Sequence, residues 1–585
     1  MWKNLNLLLG KTSNTTKVIN LSHDGNKISD DENIAQTFNN YFSNIGTKLS
    51  NDLPKTQQNP LEYVRYPQSN FSFQYIVEDE VLRLLQTIKS SKASGLDKIS
   101  AKLIRDAASV ITPSLTTIFN TCLATGIFPD DWKMAKVSPI HKSGKKDICG
   151  NYRPISVLST VVKVFEKILS DQITKYLEDN KILTNFQSGF RKGHSTMTSL
   201  LNTTDKWLYN MDKSLVNGVL FLDMRKAFDT VNHTILINKL EAYGVNASSL
   251  KLMQSYLTNR SQKCKINQAL SKANSVTCGV PQGSNLGPLL FLIYINDLPN
   301  CLEFSSPAMY ADDTNLTVEA KTSEELQSML NRDLEKIHQW LLANKLSLNV
   351  DKTEYMIIAS RSKLLNIDND LTVQLNGTDV KKVTSVKTLG VIIDECMLWN
   401  DQIDNVAKKA SKGIGMMKRA KPFIPNFSLI ALYKSVVQPH FEYCSSVWGN
   451  CSKSLQDKLQ KLQNRAARVV TGDNYEVRSK EVLIKLNWQP LNQRRDKQLV
   501  TLVHGVITGK LSNIKNSLEL MSNTRYPMRS NNTMIKLAKP RTNALKKCFN
   551  YRGAKLWNNL PYYLKNENIS MQSFKNNLKN LDMIL

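Results

Sequence analysis

No segment of this 585-residue sequence is apolar for long enough to cross a bilayer as a helix: spanning needs roughly 20 consecutive apolar residues, and the longest such stretch, around Pro288–Ile295, falls far short. The opening run Met1–Gly10 holds three consecutive leucines but neither the apolar length of a secretory signal nor a small-residue cleavage site. Cysteine is scarce and scattered, nine residues with no Cys-x-x-Cys and with Cys444 and Cys451 as the closest pair. That argues against a disulfide scaffold and a zinc finger, and suggests a reducing compartment. No fixed-period repeat is present, which disfavours a solenoid. Acidic residues are also short, 50 against 77 Lys and Arg, leaving a net charge of +27.

A basic excess of this size makes a polyanion the first partner to look for. It is unevenly placed: residues 401–585 carry 32 basic and 11 acidic side chains (+21), whereas 1–400 carry 45 and 39 (+6). With 41% hydrophobic residues, the chain can bury sizeable cores. Residues 1–75, rich in Asn, Ser, Thr, Asp and Lys, read as a linker or lightly structured cap with one helix suggested at Ile34–Ile45. Residues 76–124 read as helical, 125–394 as alternating strands and helices, 395–520 as a helical region, and 521–585 as a basic C-terminal region with 12 basic side chains against Glu567 and Asp582. In Leu455–Val470, apolar residues recur at helical spacing while Lys458, Lys461, Arg465 and Arg468 take other faces, a core-packed helix with a charged side.

Two acidic features stand out. Gly218–Leu222 reads as a buried strand that ends on Asp223, with a helix expected from near Lys226; a carboxylate there is costly without compensation. Ala308–Val318 reads as a β-hairpin with Asp312 and Asp313 in its turn, self-repelling without a cation. Separately, each has an ordinary explanation as turn or helix-cap chemistry. Together they fit a hard-cation site in which neighbouring strands hold two Mg²⁺ ions roughly 3.5–4 Å apart, suited to phosphoryl transfer.

Three segments, Phe221-Leu-Asp-Met-Arg-Lys-Ala-Phe-Asp-Thr-Val-Asn-His233, Gly279-Val-Pro-Gln-Gly-Ser-Asn-Leu-Gly-Pro288 and Tyr310-Ala-Asp-Asp313, resemble in order the central palm motifs of reverse transcriptases, most closely those of non-LTR (LINE-type) retrotransposons. Upstream, Trp132–Lys142, Asn151–Ser159 and Gln187–Thr196 are similar to the fingers of that family. Downstream, Trp340–Thr353 is similar to a following palm motif, Thr388–Asp394 to the primer grip, and Pro439–Gly449 and Leu556–Pro561 to the thumb and C-terminal region. Thr388 departs from the aromatic residue often found there.

The resemblance implies an α+β right-hand polymerase, its fingers and palm at 125–394 around a four-stranded antiparallel sheet, followed by a helical thumb. It implies an RNA-directed DNA polymerase that adds dNTPs to a primer 3′-hydroxyl on an RNA template, with a DNA primer or target as a further partner and no membrane. Asp223, Asp312 and Asp313 would be catalytic and, with the Met224 carbonyl, hold two Mg²⁺ ions, with Mn²⁺ as a substitute. Lys352 matches a proton donor to pyrophosphate. Phe228 takes the steric-gate position, Gln282 and Gly283 the nucleotide and template pocket, Lys136 and Arg153 the grip on the triphosphate with Lys142 as a weaker member, and Arg191 a template or nucleotide contact. The family's endonuclease has no counterpart here, so the chain looks 5′-truncated or served by a nuclease in trans; an intracellular protein, nuclear at integration, is expected. A catalytically silent RNA-binding relic is the alternative. The charge of 521–585 predicts salt-sensitive, largely sequence-independent binding through phosphates.

Overall fold

The apolar run Val216–Leu222 forms a strand buried on both faces. In the computed structural model, which describes residues 20–23, 26–367, 371–511, 514, 518–521, 533–565, 568–579 and 581, it is the middle of a five-stranded sheet ordered Lys381–Lys382, Glu354–Ile358, Val216–Leu222, Asp313–Ala320, Ser306–Tyr310. Four of these strands are antiparallel, as expected; the fifth is a two-residue parallel edge, Lys381–Lys382 against Glu354–Tyr355. The fold is thus α+β.

Alternation along the central strand divides it between two hydrophobic cores. Val216, Leu220 and Leu222 face a core built with the helices Thr160–Asp179, His233–Ala242, Ala247–Leu257, Leu286–Tyr294 and Ser323–Ala343. Gly218 lies on that side too: a side chain there would meet Leu326 and Leu330 at 2.9 Å. Val219, with Met356 and Ile358, faces a second core shared with the helix Thr196–Asp212 and the C-terminal helices Asn400–Ala420, Lys453–Thr471, Leu491–Ile507 and Phe549–Asn558. The helix Lys453–Thr471 buries Leu459, Ala466 and Val469 and exposes Lys461 and Arg465, in keeping with the spacing.

A second sheet, ordered Tyr152–Val157, Met134–His141, Arg260–Ile266, Ala269–Leu270, with Asn274–Val276 also on Arg260–Ile266, stands beside the first. It is covered by Asp31–Asn51, a longer helix than the single one suggested inside a light cap. Asp30 caps its first turn by accepting from the Asn33 N–H, and Ile34, Ala35, Phe38 and Phe42 pack on Val137, Tyr152, Cys264 and Ile266.

The helix expected near Lys226 is not there. Residues 225–229 form turns, with Lys226 at φ 48°, and the helix begins at His233, where Asn232 caps the Ile235 N–H. The Lys226 ammonium reaches across to the carbonyls of Gly150 (2.9 Å) and Tyr152 (3.2 Å), tying this turn to the second sheet. All nine cysteines are free thiols, and among the described residues no helix is long and apolar enough to cross a membrane. The opening run Met1–Gly10 and, within 521–585, residues 522–532, 566–567, 580 and 582–585 lie outside the described residues.

Arg541, Thr542 and the helix Phe549–Asn558 attach to the back of the central sheet through two aspartates of Thr196–Asp212. Asp212 accepts from the Thr542 N–H (2.6 Å), the Thr542 hydroxyl (2.8 Å) and the Arg541 N–H (3.2 Å). Asp205 accepts from the N–H groups of Phe549 (2.8 Å) and Asn550 (3.1 Å) at the start of Phe549–Asn558. Burial nevertheless pushes the Asp205 carboxyl up, from the usual 3.8 to about 7, against the pull of those donors and of Arg552. A raised folded-state pKa means that the folded chain holds this proton where the unfolded chain has lost it, so stability falls as pH rises from about 4 to about 7. Asp205→Asn, which cannot titrate, is expected to flatten the dependence of Tm on pH across that window whatever its offset at low pH. Parallel Tm–pH curves for the two proteins would show that Asp205 contributes none of it.

Candidate active site

The sheet register sets the carboxylates. Leu222 pairs with Thr314, so the next position along the ladder brings Asp223 level with Asp313. Tyr310 pairs with Asp313, leaving Ala311 and Asp312 as a two-residue turn. Asp312 is therefore in the turn as expected, while Asp313 opens the returning strand.

That turn needs support, because Ala311 has φ 56°, a left-handed conformation unfavourable to a residue with a Cβ. The support is Gln187. Its Oε1 accepts from the N–H groups of Ala311 (2.9 Å) and Gly189 (2.7 Å), and its Nε2 donates to the Ala311 carbonyl (3.3 Å). Gly189 fits only as glycine, since a Cβ would stand 2.3 Å from the Ala311 nitrogen. Arg191 donates to the carbonyls of Thr184 (2.8 Å) and Gln187 (3.3 Å), bracing the same loop from behind.

Asp223 is held from the other side. Asn349 donates its backbone N–H to the Asp223 carbonyl (2.7 Å) and its Nδ2 to Asp223 Oδ2 (3.2 Å). Lys352 Nζ lies 3.9 Å from the same oxygen. Met224 bridges to Leu348, continuing the strand pairing one step past the sheet.

The electrostatics are those of a site short of positive charge. Burial and the neighbouring carboxylates combine to hold Asp312 and Asp313 above the ordinary aspartate range; burial is the largest cause for both, with Asp223 acting on Asp312 and both Asp312 and Asp223 acting on Asp313. Lys142 and Arg153, from the second sheet's hairpin, pull both back down. Among the described residues no group of three or more His, Cys, Asp or Glu side chains could hold a metal on its own.

The remaining candidates surround this centre in different ways. Phe228 stacks on Phe291 (ring centroids 4.3 Å, 24°) and meets Phe190 edge-on (6.2 Å, 85°), half-buried in the turn after Asp223 rather than on a helix. Gln282 Nε2 donates to Asp229 (2.8 Å) and its carbonyl accepts from the Ser156 N–H (2.7 Å). Gly283 (φ 117°) leaves no room for a Cβ, which would lie 2.6 Å from the Ser156 carbonyl. The 279–283 loop is thereby locked to both the second sheet and the turn after Asp223. Lys136 donates to the carbonyls of Ser94 and Gly95 (3.0 Å for the latter), so its ammonium is engaged by the chain itself. Arg153 is exposed.

Sequence reading does not single out Gln187, Asn349 or Asp229, though all three lie inside the motifs quoted above. Asp229 is pushed up to about 6 by burial, offset by Gln282 and Lys226. Their partners are long-range, so no local pattern marks them.

Carboxylates are thus presented by a buried strand and its neighbouring hairpin, flanked by basic groups from a second sheet. Residues 140–393 match the family described as reverse transcriptase (RNA-dependent DNA polymerase). The chain is 27% identical over 484 residues to the probable RNA-directed DNA polymerase from transposon BS of Drosophila melanogaster, covering 80% of this chain and 53% of that protein. It is 28% identical over 410 residues to the corresponding protein of transposon X-element (68% and 44%), and 27% identical over 433 residues to the RNA-directed DNA polymerase from mobile element jockey (72% and 47%), both from the same fly. The resemblance to non-LTR retrotransposon polymerases is thus borne out. The chain spans about half the length of these curated relatives.

Gln187→Leu keeps the side chain's bulk and removes its hydrogen bonds. Leaving the Ala311 N–H and carbonyl unpaired should cost about 1–3 kcal/mol, and displacement of Asp312 should slow primer extension by up to about 100-fold. Thermal melting and extension on a primed RNA would measure the two effects; an unchanged rate in the folded variant would show that the turn holds itself.

Proposed function

We propose that this chain is an RNA-directed DNA polymerase that extends a primer 3′-hydroxyl with deoxynucleoside triphosphates on an RNA template. The observation that carries this reading is the register that sets Asp223 level with the Asp312–Asp313 hairpin inside the reverse transcriptase match. Asp223, Asp312 and the Met224 carbonyl, with Asp313 beside them, would hold two Mg²⁺ ions, or Mn²⁺ in their place. Bound there, the ions would acidify the primer hydroxyl and neutralise charge on the leaving pyrophosphate.

The chain's own groups then divide the remaining work. Arg153 and Lys142, whose charges already act on the carboxylates, are placed to meet the triphosphate, Arg153 as a planar fork. Lys352, exposed beside Asp223, is in reach of the departing pyrophosphate and can give it a proton. Phe228, fixed by Phe291, offers a ring edge at the sugar and so favours a deoxyribose. Gln282 and Gly283 shape the pocket floor through Asp229 and Ser156. The C-terminal helices, from Asn400–Ala420 onward, serve as the thumb and the surface beyond it, where a template–primer duplex would lie. An endonuclease, supplied in trans or by a longer form of the protein, would provide the DNA primer end for integration in the nucleus.

Extension of oligo-dT on poly(rA) with Mg²⁺ is expected from the wild type and not from Asp312→Ala. Equal incorporation by the two proteins would refute the reading, and RNA binding without extension under Mg²⁺ or Mn²⁺ would favour a silent binding protein instead.

A further inference from the structure

Away from the carboxylates, a polar cavity of about 640 Å³ opens between the helices Leu491–Ile507, Asn543–Lys546 and Phe549–Asn558. Four cations line it, Arg495, Arg552, Lys546 and Lys547, against one carboxylate, Asp496. Arg495 is almost fully buried, its residual exposure being 4%, and its guanidinium lies over the Trp448 ring at 4.9 Å. Its Nε and Nη2, and Nη1 of Arg552, are buried with no hydrogen-bond partner, and none of the described carboxylates forms an ion pair with either arginine.

Unsatisfied buried guanidinium N–H groups are expensive, costing more than neutral donors because the group stays charged. Burial, with the Arg552 charge beside it, lowers the Arg495 guanidinium to about 10, a sign of cations crowded without enough counter-charge. Asp496, the one carboxylate lining the cavity, acts on both arginines but forms no ion pair with either, and burial holds its own carboxyl above the ordinary range. Asp205, whose charge also acts on Arg552, is already engaged by the N–H groups of Phe549 and Asn550. The fitting partner is an anion with several acceptor oxygens; carboxylate and phosphate both match the guanidinium fork, and two arginines with two lysines around one cavity favour the more highly charged phosphate. Lys546 is exposed at the rim and Lys547 half-buried, so the cavity stays open to solvent and to a strand passing over it.

We propose that this cavity is a phosphate-binding pocket that seats a backbone phosphate of a bound nucleic acid strand, Arg495 and Arg552 gripping its oxygens and Lys546 and Lys547 meeting the neighbouring phosphates. The proposal rests on the template-binding part of the reading above, and the same preparation tests both. The sequence-independent attraction implied by the C-terminal charge thereby gains one defined anchoring point.

The test measures binding of a fluorescein-labelled oligo(rA) to the full chain by anisotropy across a salt series. Lys546→Gln combined with Lys547→Gln should reduce the slope of log affinity against log salt by about 1.4, at about 0.7 for each single-strand phosphate that is no longer neutralised. A charge-matched control, Lys102→Gln with Lys175→Gln on exposed helix faces elsewhere, should keep the wild-type slope. Arg495→Lys, which keeps the charge and removes the fork, should keep the slope and weaken binding by roughly tenfold. Inorganic phosphate at matched ionic strength should compete with the oligonucleotide more in the wild type than in the rim double variant. Equal slopes for the two double variants, or phosphate competition that ignores the pocket, would overturn the proposal. Primer extension by the wild type, run in parallel, separates the outcomes. Extension with equal slopes removes the pocket and leaves the polymerase; altered slopes without extension keep the pocket and remove the polymerase.

Discussion

The strand Val216–Leu222 is the element on which the rest depends, because it is buried on both faces and each face belongs to a different core. A strand so placed can carry no charge along its length without a large desolvation penalty. The first carboxylate is therefore deferred to the end of the strand, at Asp223. A slip of one residue would exchange Val219 with Leu220 between cores and move Asp223 off the hairpin, so packing on two sides enforces the register that the chemistry uses. Stability and active-site geometry are here one constraint.

That constraint has an electrostatic cost, which the second sheet helps to offset. Burial, with the gathering of Asp223, Asp312 and Asp313, raises the latter two, and the compensating charges, Lys142 and Arg153, come from the Met134–His141 and Tyr152–Val157 hairpin region, not from the central sheet. The two sheets must then be held in fixed relation. Lys226 to Gly150 and Tyr152, and Gln282 to Asp229 and Ser156, are the ties. Lys226, Gln187, Gln282 and Asn349, all inside the quoted motifs, thus serve alignment, while Lys142 and Arg153 act on the carboxylates. Lys136, engaged by the Ser94 and Gly95 carbonyls, illustrates the difference.

What can be read from sequence follows from how local the signal is. The buried strand, the hairpin and the amphipathic helix at Leu455–Val470 each carry their pattern within a short stretch of chain, and the structure keeps them nearly as read. The turn after Asp223 reads as a helix, yet Lys226, at φ 48°, reaches the Gly150 and Tyr152 carbonyls of a distant sheet, a contact that no local pattern encodes. Gln187 and Asn349 lie inside recognised motifs, yet their task is set by Ala311 and Asp223, more than a hundred residues away. The helix Asp31–Asn51 is embedded in polar sequence, and only its partners Val137, Tyr152 and Cys264 show why four apolar side chains suffice to fix it.

Charge arithmetic has a similar limit. The +21 of residues 401–585 counts every cation as free, but many are engaged within the chain. Arg468 donates to the Asn474 and Val477 carbonyls and to Ser479, Lys458 pairs with Asp404, Arg494 with Glu442, and Lys565 donates to the Asn558 carbonyl. Among the described arginines of 401–585, Arg495 and Arg552 combine buried N–H groups that have no partner with the lack of an ion pair to any described carboxylate, whereas Arg494, with one such N–H, pairs with Glu442. Arg552 also lies on Phe549–Asn558, which Asp205 fastens to Thr196–Asp212, and the helix of Arg495, Leu491–Ile507, packs on Phe549–Asn558; Thr196–Asp212 in turn shares a core with the central strand. A strand of nucleic acid held at that cavity would be referenced, through one rigid helix, to the same β-strand that presents Asp223, so the buried core that sets the catalytic register would also set where the bound backbone is anchored.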